Sequence, residues 1–313
     1  MREASCSTDV LPPRLRKGDL VAVPAPAGPV PEDEFFAGLE ILQSRYRVVY
    51  DESIFRHSGF LAGTDEERAT ELNRYLGDRE IRAVFCARGG YGTLRIVDRL
   101  DAAAFRRAAK AVVGFSDATV LLAWCLGAAG VRPVHGPTVS QLGRLSGEDV
   151  DWLFRILEDP SAPGQGCFPI LRPIGRAAVG TRRGRLVGGN LELVTRLVGT
   201  PWQFAAEGSV FFFEDVGERP YRLDRMLTHL KLAGAIDGAV SAVVGSLVRC
   251  EEPGGGGPCS EEVVGERLRS FGIPAMAGLP VGHGTCNAAL PLGAMASLDF
   301  SSNVLALEEG AVA

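Results

Sequence analysis

Ala111-Val-Val-Gly-Phe-Ser-Asp-Ala118 passes without a break into Thr119-Val-Leu-Leu-Ala-Trp124. The first part is a short apolar run and the second has the residues of a buried helix, so the segment reads as strand, turn and helix. A serine at such a turn lies at the carboxyl edge of a parallel sheet, where α/β folds carry their sites. The amides of Asp117 and Ala118 that follow point out of a helix N-terminus, which favours negative charge. A nucleophile with an oxyanion hole has these needs. The hydrolase elbow G-x-S-x-G is not matched, because Ala118 stands where its second glycine belongs. Taken alone, a Gly-x-Ser-Asp after a strand is more often a helix cap than a nucleophile, and the decision falls to residues elsewhere.

Toward the N-terminus, apolar strands at 19–24, 47–50 and 81–86 alternate with helices. One helix opens at Pro31 with acids in its first turn, one at the capping box Thr64-Asp-Glu-Glu67, and one is expected over 93–100. Strands alternating with helices predict βαβ units and a parallel sheet. Right-handed crossovers then place the loops at Pro24, Arg88 and Ser116 along one sheet edge. A strand at Val134-His135-Gly136 and a helix over 149–157 complete this half.

Residues 159–173 then hold Pro160, Pro163, Pro169 and Pro173 with Gly164 and Gly166, which is linker chemistry. The expected division is an N-terminal domain over 1–160 carrying the serine, a linker over 161–180 and a C-terminal domain over 181–313. The second half opens with Arg185-Leu-Val-Gly-Gly-Asn190 and reads on as strands at 209–213 and 239–245, helices at 191–198, 222–232 and 260–271, an irregular loop at 279–287, and two closing strands within 294–307. The fold class is therefore α/β: an N-terminal Rossmann-like parallel sheet flanked by helices, plus a smaller C-terminal α/β domain.

The 313 residues carry a formal charge of -5, which suggests no nucleic-acid or anionic-membrane surface. No run approaches the roughly 20 apolar residues of a membrane span. The first residues lack the apolar core of a signal peptide, so a cytosolic protein is expected. The seven cysteines, Cys6, Cys86, Cys125, Cys167, Cys250, Cys259 and Cys286, are odd in number and form no C-x-x-C pair. Neither a zinc site nor a disulfide framework is expected, and no cofactor is called for. Arg88-Gly-Gly-Tyr-Gly92 resembles half of a dinucleotide fingerprint, but no G-x-G-x-x-G is present. Those glycines are read as backbone that approaches a ligand closely, with Gly89 or Gly90 offering a second oxyanion amide.

Only four histidines exist: His57, His135, His229 and His283. His283 lies between two glycines in a loop, where the backbone can bend tightly and leave the ring facing a cleft. His135 follows an apolar strand and reads as structural, His229 as packed on a helix, His57 as part of a polar loop. Glu214 stands where the apolar strand 209–213 emerges into a loop, and its bland reading is a strand-end acid that caps local amides. Together Ser116, Glu214 and His283 supply a nucleophile, an orienting carboxylate and a general base, in a chain order that proteins do use.

Seven ordered motifs resemble the LD-carboxypeptidase family of serine peptidases. They are Gly63-Thr-Asp-Glu-Glu-Arg-Ala, Ala87-Arg-Gly-Gly-Tyr-Gly-Thr-Leu-Arg95, Gly114-Phe-Ser-Asp-Ala-Thr, His135-Gly-Pro, Gly188-Gly-Asn-Leu, Phe213-Glu-Asp and Gly282-His-Gly. The resemblance runs from about Leu15 to Leu307. One departure is the loop Pro24-Ala-Pro-Ala-Gly28, where relatives commonly have a serine after the proline.

The resemblance implies a cytosolic homodimer that removes the terminal D-alanine from muropeptide tetrapeptides in murein recycling, with the site between two domains. Motif by motif it makes Ser116 the nucleophile, Glu214 the orienting acid and His283 the base. Asp117 and a glycine of the Arg88-Gly89-Gly90 loop would give oxyanion amides, and Asn190, with Arg88, falls among the substrate-binding candidates. A subgroup of the family cleaves peptidyl-nucleotides such as microcin C, and Trp202, Tyr91 and Arg88 are the candidates for contacts that separate the two substrates. A binding-only protein with a degenerate site is the alternative from another class.

Overall fold

The computed structural model describes residues 10–166, 168–175 and 178–313; Cys6 and Cys167 lie outside them. The first half reads β1 (Leu20–Ala22), α1 (Glu32–Gln43), β2 (Arg47–Val49), α2 (Asp65–Gly77), β3 (Ala83–Phe85), α3 (Ala102–Ala108), β4 (Ala111–Gly114), α4 (Thr119–Trp124), β5 (Val134–His135), α5 (Val139–Leu142) and α6 (Gly147–Glu158). The second half reads β6 (Arg172–Ile174), β7 (Thr181–Asn190), α7 (Leu191–Arg196), β8 (Ser209–Val216), α8 (Pro220–Leu232), β9 (Ser241–Val248), α9 (Ser260–Ser270), β10 (Ala275–Ala277), β11 (Leu290–Pro291), β12 (Met295–Asp299) and β13 (Val304–Leu307).

The first sheet has the order β11-β5-β4-β3-β1-β2. Its strands β1 to β5 are parallel, as the alternation of elements predicts, while β11 comes from the far end of the chain and pairs antiparallel with β5 through Leu290 and His135. Ala111, Val112 and Val113 of β4 are fully buried, as expected for a strand covered on both faces. Each of the two valines contributes roughly 1.5–3 kcal/mol by leaving water. Cys86 and Cys125, read as small core residues, are buried in the same core.

The second sheet has the order β13-β12-β7-β8-β9-β10-β6, parallel from β7 to β10 and antiparallel at both edges. Within 161–180, β6 is its edge strand and Leu171 N donates to Asn303 O at 2.8 Å. The two sheets are stitched together close to the serine, where Asn190 N at the end of β7 donates to Thr119 Oγ1 of α4 at 3.1 Å. Among the described residues no helix is long and apolar enough to cross a membrane.

Two of the elements expected from the sequence take a different form. The helix expected over 93–100 is a pair of 3-10 turns, Thr93–Arg95 and Val97–Arg99. The α-helix starts only after Asp101, whose carboxylate caps the amide of Ala104 at 2.8 Å. Thr93 N is already committed to the Asp117 carboxylate at 2.8 Å, which ties this segment to the serine turn. Second, the strand expected to end at Phe213 continues to Val216 because β7 and β9 pair with it on both sides. Glu214 is therefore fully buried rather than at a rim.

Candidate active site

Ser116 follows β4 and has φ +60°, left-handed for an L-residue. That conformation costs roughly 1–2 kcal/mol and turns the hydroxyl out of the sheet edge before α4 begins. The Arg88-Gly89-Gly90 loop lies against this turn. A Cβ at residue 89 would stand 2.9 Å from Ser116 Cβ, 3.0 Å from its Oγ and 3.6 Å from Asp117 N, so the close approach requires glycine. The Asp117 side chain takes no part in the opening. It is buried beneath the turn, bonded to Thr93 N, and burial raises its pKa above the usual carboxylate range. Any contribution of Asp117 to an oxyanion hole is by its amide.

His283 comes from the other half of the chain. Its Nδ1–H donates to Glu214 Oε2 at 2.7 Å, which leaves Nε2 as the acceptor facing Ser116 Oγ at 3.1 Å. The ring packs on Phe115, with centroids 4.8 Å apart. Gly282 has φ +116°, and a Cβ there would fall 2.5 Å from Glu214 Oε2. Only glycine lets the backbone before the imidazole pass so close to its carboxylate.

Behind the carboxylate lies Asn190, directly across from Glu214 in the β7–β8 ladder. Its Nδ2 donates to Glu214 Oε1 at 3.3 Å and to Asp215 Oδ1 at 3.1 Å. Asn190 is buried and touches the acid rather than the cleft. Asp215, which also accepts the amides of Glu192 and Val216, is pushed up to about 7, first by burial and further by the neighbouring Glu214.

The loop carrying His283 is fixed by side chains the sequence did not single out. Gly282 N donates to Asn287 Oδ1 at 2.9 Å, Asn287 Nδ2 donates to Gln141 Oε1 at 2.8 Å, and Gln141 Nε2 donates back to Gly282 O at 3.2 Å. This closed ring is buried and joins α5 of the first half to the histidine loop. Ser246 of β9 adds a clamp: it donates to Val281 O at 3.0 Å and accepts Gly284 N at 3.2 Å. The one signal in the sequence was the irregular stretch 279–287 itself.

The cleft above these groups has a volume of about 930 Å³ and is lined by Ser116, His283, Arg88, Gly89 and Gly90 together with Arg144 and Arg249. Of the remaining candidates, Tyr91 is exposed and meets Phe60 edge-on at 5.4 Å, while Trp202 packs half-buried against the core. His135, read as structural, lies buried between Phe115 and Phe212, neither ring nitrogen has a hydrogen-bond partner among the described residues, and burial pushes its pKa down to about 3.

A hydroxyl facing an imidazole that is backed by a buried carboxylate has the chemistry of a nucleophilic hydrolase. Comparison with known proteins narrows this class. Residues 21–136 match the LD-carboxypeptidase N-terminal domain and residues 183–298 the LD-carboxypeptidase C-terminal domain. A putative carboxypeptidase of Synechocystis is 37% identical over 93% of this chain and 95% of its own. A probable murein peptide carboxypeptidase of Bacillus subtilis is 32% identical over 97% and 96%.

Among solved structures, a muramoyltetrapeptide carboxypeptidase from Oxalobacter formigenes superposes with a TM-score of 0.80 at 29% identity, covering 93% of this chain and 98% of that one. MccF in complex with glutamyl sulfamoyl guanosine gives 0.87 at 23% identity over 97% and 99%, a likeness of fold. The chain belongs to the LD-carboxypeptidase family and is a serine-type carboxypeptidase.

Proposed function

We propose that this carboxypeptidase removes the terminal D-alanine from muropeptide tetrapeptides, in the course of peptidoglycan recycling, through a triad of Ser116, His283 and Glu214. The observation that carries the reading is the unbroken line from Ser116 Oγ to His283 Nε2 and from His283 Nδ1 to Glu214. His283 Nε2 takes the hydroxyl proton as Oγ attacks the carbonyl preceding the D-alanine. The oxyanion is met by the amide of Asp117 and one from the Gly89-Gly90 backbone. The imidazolium, held by Glu214, then protonates the departing amine, and water releases the peptide from the acyl-serine with the same histidine as base.

The names of the relatives support a murein peptide substrate. Cleavage of peptidyl-nucleotides is the second reading, favoured by the similarity to the microcin C7 self-immunity protein of Escherichia coli, 25% identical over 91% of this chain. Incubation with a muramoyl tetrapeptide and with an aminoacyl-nucleotide analogue, followed by mass spectrometry, separates them. Loss of one alanine from the tetrapeptide alone is expected, and cleavage of the nucleotide alone overturns the first reading. Stoichiometric labelling by an acyl-serine probe, lost in Ser116→Ala, excludes a binding-only protein.

The proposal extends to a cytosolic homodimer divided at 161–180. Sedimentation and cell fractionation test the first two properties, and limited proteolysis tests the third.

A further inference from the structure

We infer that Arg249 is the residue that docks the free carboxylate of the amino acid to be released, and so confines the enzyme to the end of a peptide. The inference rests on the carboxypeptidase reading of this cleft and adds the contact that reading leaves open: a carboxypeptidase has to tell a chain end from an internal residue. A guanidinium suits that task because its fork matches both oxygens of a carboxylate.

Three arginines line the cleft with Ser116 and His283: Arg88, Arg144 and Arg249. Two are engaged. Arg144 pairs with Glu34 at 3.2 Å, and Arg88 Nη1 donates to the carbonyl of Pro29 at 2.5 Å. Arg249 is exposed and, among the described residues, has neither an ion-pair nor a hydrogen-bond partner for its side chain. Glu251 and Glu252 follow closely in sequence, yet neither is paired with it, and Glu251 is turned to Ser260 N.

The backbone supplies an independent indication. Among the described residues only four other than glycine have positive φ: Ala109, Ser116, Arg249 and Asn303. Two of the four line this one cleft, the serine at +60° and Arg249 at +53°. Glycine would adopt the left-handed conformation without strain. An arginine in that conformation, with no partner among the described residues to offset the cost, points to a use for its side chain. Its position fits the use, since it caps the end of β9, three residues beyond the Ser246 that clamps Gly284 next to His283. Three extended residues span about 10 Å, most of which an arginine side chain covers, and Arg249 lines the same cleft as His283.

The test uses Arg249→Gly, which deletes the guanidinium and relieves the strain together. Wild type, Arg249→Gly and Arg144→Ala are each assayed on a tetrapeptide ending in D-alanine and on the same peptide with a C-terminal carboxamide. Thermal unfolding and the labelling rate with a small acyl-serine probe are measured alongside. Arg249→Gly is expected to unfold at or above the wild-type temperature. Its preference for the free acid over the amide is expected to fall on the order of ten- to a hundredfold, mainly through KM.

An unchanged preference in Arg249→Gly overturns the inference. So does an equal loss on both peptides, or a collapse of the preference in Arg144→Ala alone. Wild-type protein that neither takes up the probe nor cuts either peptide refutes the underlying carboxypeptidase reading instead, which the probe makes distinguishable.

Discussion

Ser116 and His283 meet at 3.1 Å, yet they are held there in different ways. The serine sits on a turn whose shape is set within 111–124: an apolar strand, one left-handed residue and the first turn of a helix. The histidine sits in a stretch without regular structure, and its position is set by side chains 37 to 142 residues away, those of Ser246, Glu214 and Gln141. A nucleophile can be built locally because one backbone conformation aims one short side chain. A general base that must also keep its tautomer needs partners on both ring nitrogens and a backbone fixed on both sides.

The largest effects would show that the two ends act as one unit. Ser116→Ala and His283→Ala are each expected to lower kcat for D-alanine release by about a thousandfold or more, and the double variant to lose no more than the worse single one. Additive losses would mean that the 3.1 Å contact has no role in turnover.

Next in size is Asn287→Ala, which opens the ring that holds the histidine loop. It leaves the Gly282 amide and the Gln141 carbonyl buried without partners. Losses of about 3 kcal/mol in denaturant stability and roughly ten- to a hundredfold in kcat are expected. A variant that loses stability but keeps wild-type kcat would show that the loop needs no such anchoring.

Gly89→Ala probes the serine side. The new methyl collides with Ser116 at about 3 Å, so kcat/KM should fall roughly tenfold with a stability change under about 1 kcal/mol, since the strain stays local. If the loss of stability rivals that of Asn287→Ala, the contrast between a local and a long-range construction fails.

The smallest effect concerns His135, buried beneath Phe115 and so under both ends. Its pKa is pushed down to about 3 by burial, with His283 nearby as a lesser cause, against about 6.5 in an unfolded chain. Between those values the unfolded chain takes up a proton that the native protein refuses, so this residue costs stability as pH falls from about 6.5 toward 3, by up to about 1.4 kcal/mol per unit. His135→Phe removes the cost. Its stability relative to wild type should rise between pH 7 and pH 5, measured by urea unfolding, and a gap that stays constant over that interval refutes the assignment.

The parts of the fold that could be read in the chain are those with a local cause. The capping box at Thr64 forms as spelled, with Thr64 and Glu67 bonding each other's backbone amides. The parallel strands of the first sheet follow from apolar runs between helices. The three loops at Pro24, Arg88 and Ser116 meet as the handedness of crossovers requires: Ala87 N donates to Pro24 O, and Gly28 N to Gly89 O. What escaped has a distant cause. Leu290 and Pro291 are only two residues, and nothing in them announces that they join the first sheet beside His135. Glu214 read as a strand-end acid because its burial comes from β7 and β9, not from its own segment. Gln141 and Asn287 carry no periodicity, and Arg249 looked like any surface arginine until its backbone angle and the cleft around it were known.

The sequence by itself determined the class of fold, the turn that carries Ser116, and, through its ordered motifs, which serine, acid and histidine to consider together. Only the tertiary structure decided that Glu214 is interior, that a ring of carboxamides fixes the histidine, and that Arg249, without a side-chain partner among the described residues, lines the cleft. The physical reason is range: backbone propensity and hydrophobic period act over a few residues and are written where they act. Burial, hydrogen-bond closure and the pairing of charges are properties of neighbours that the chain brings together only on folding.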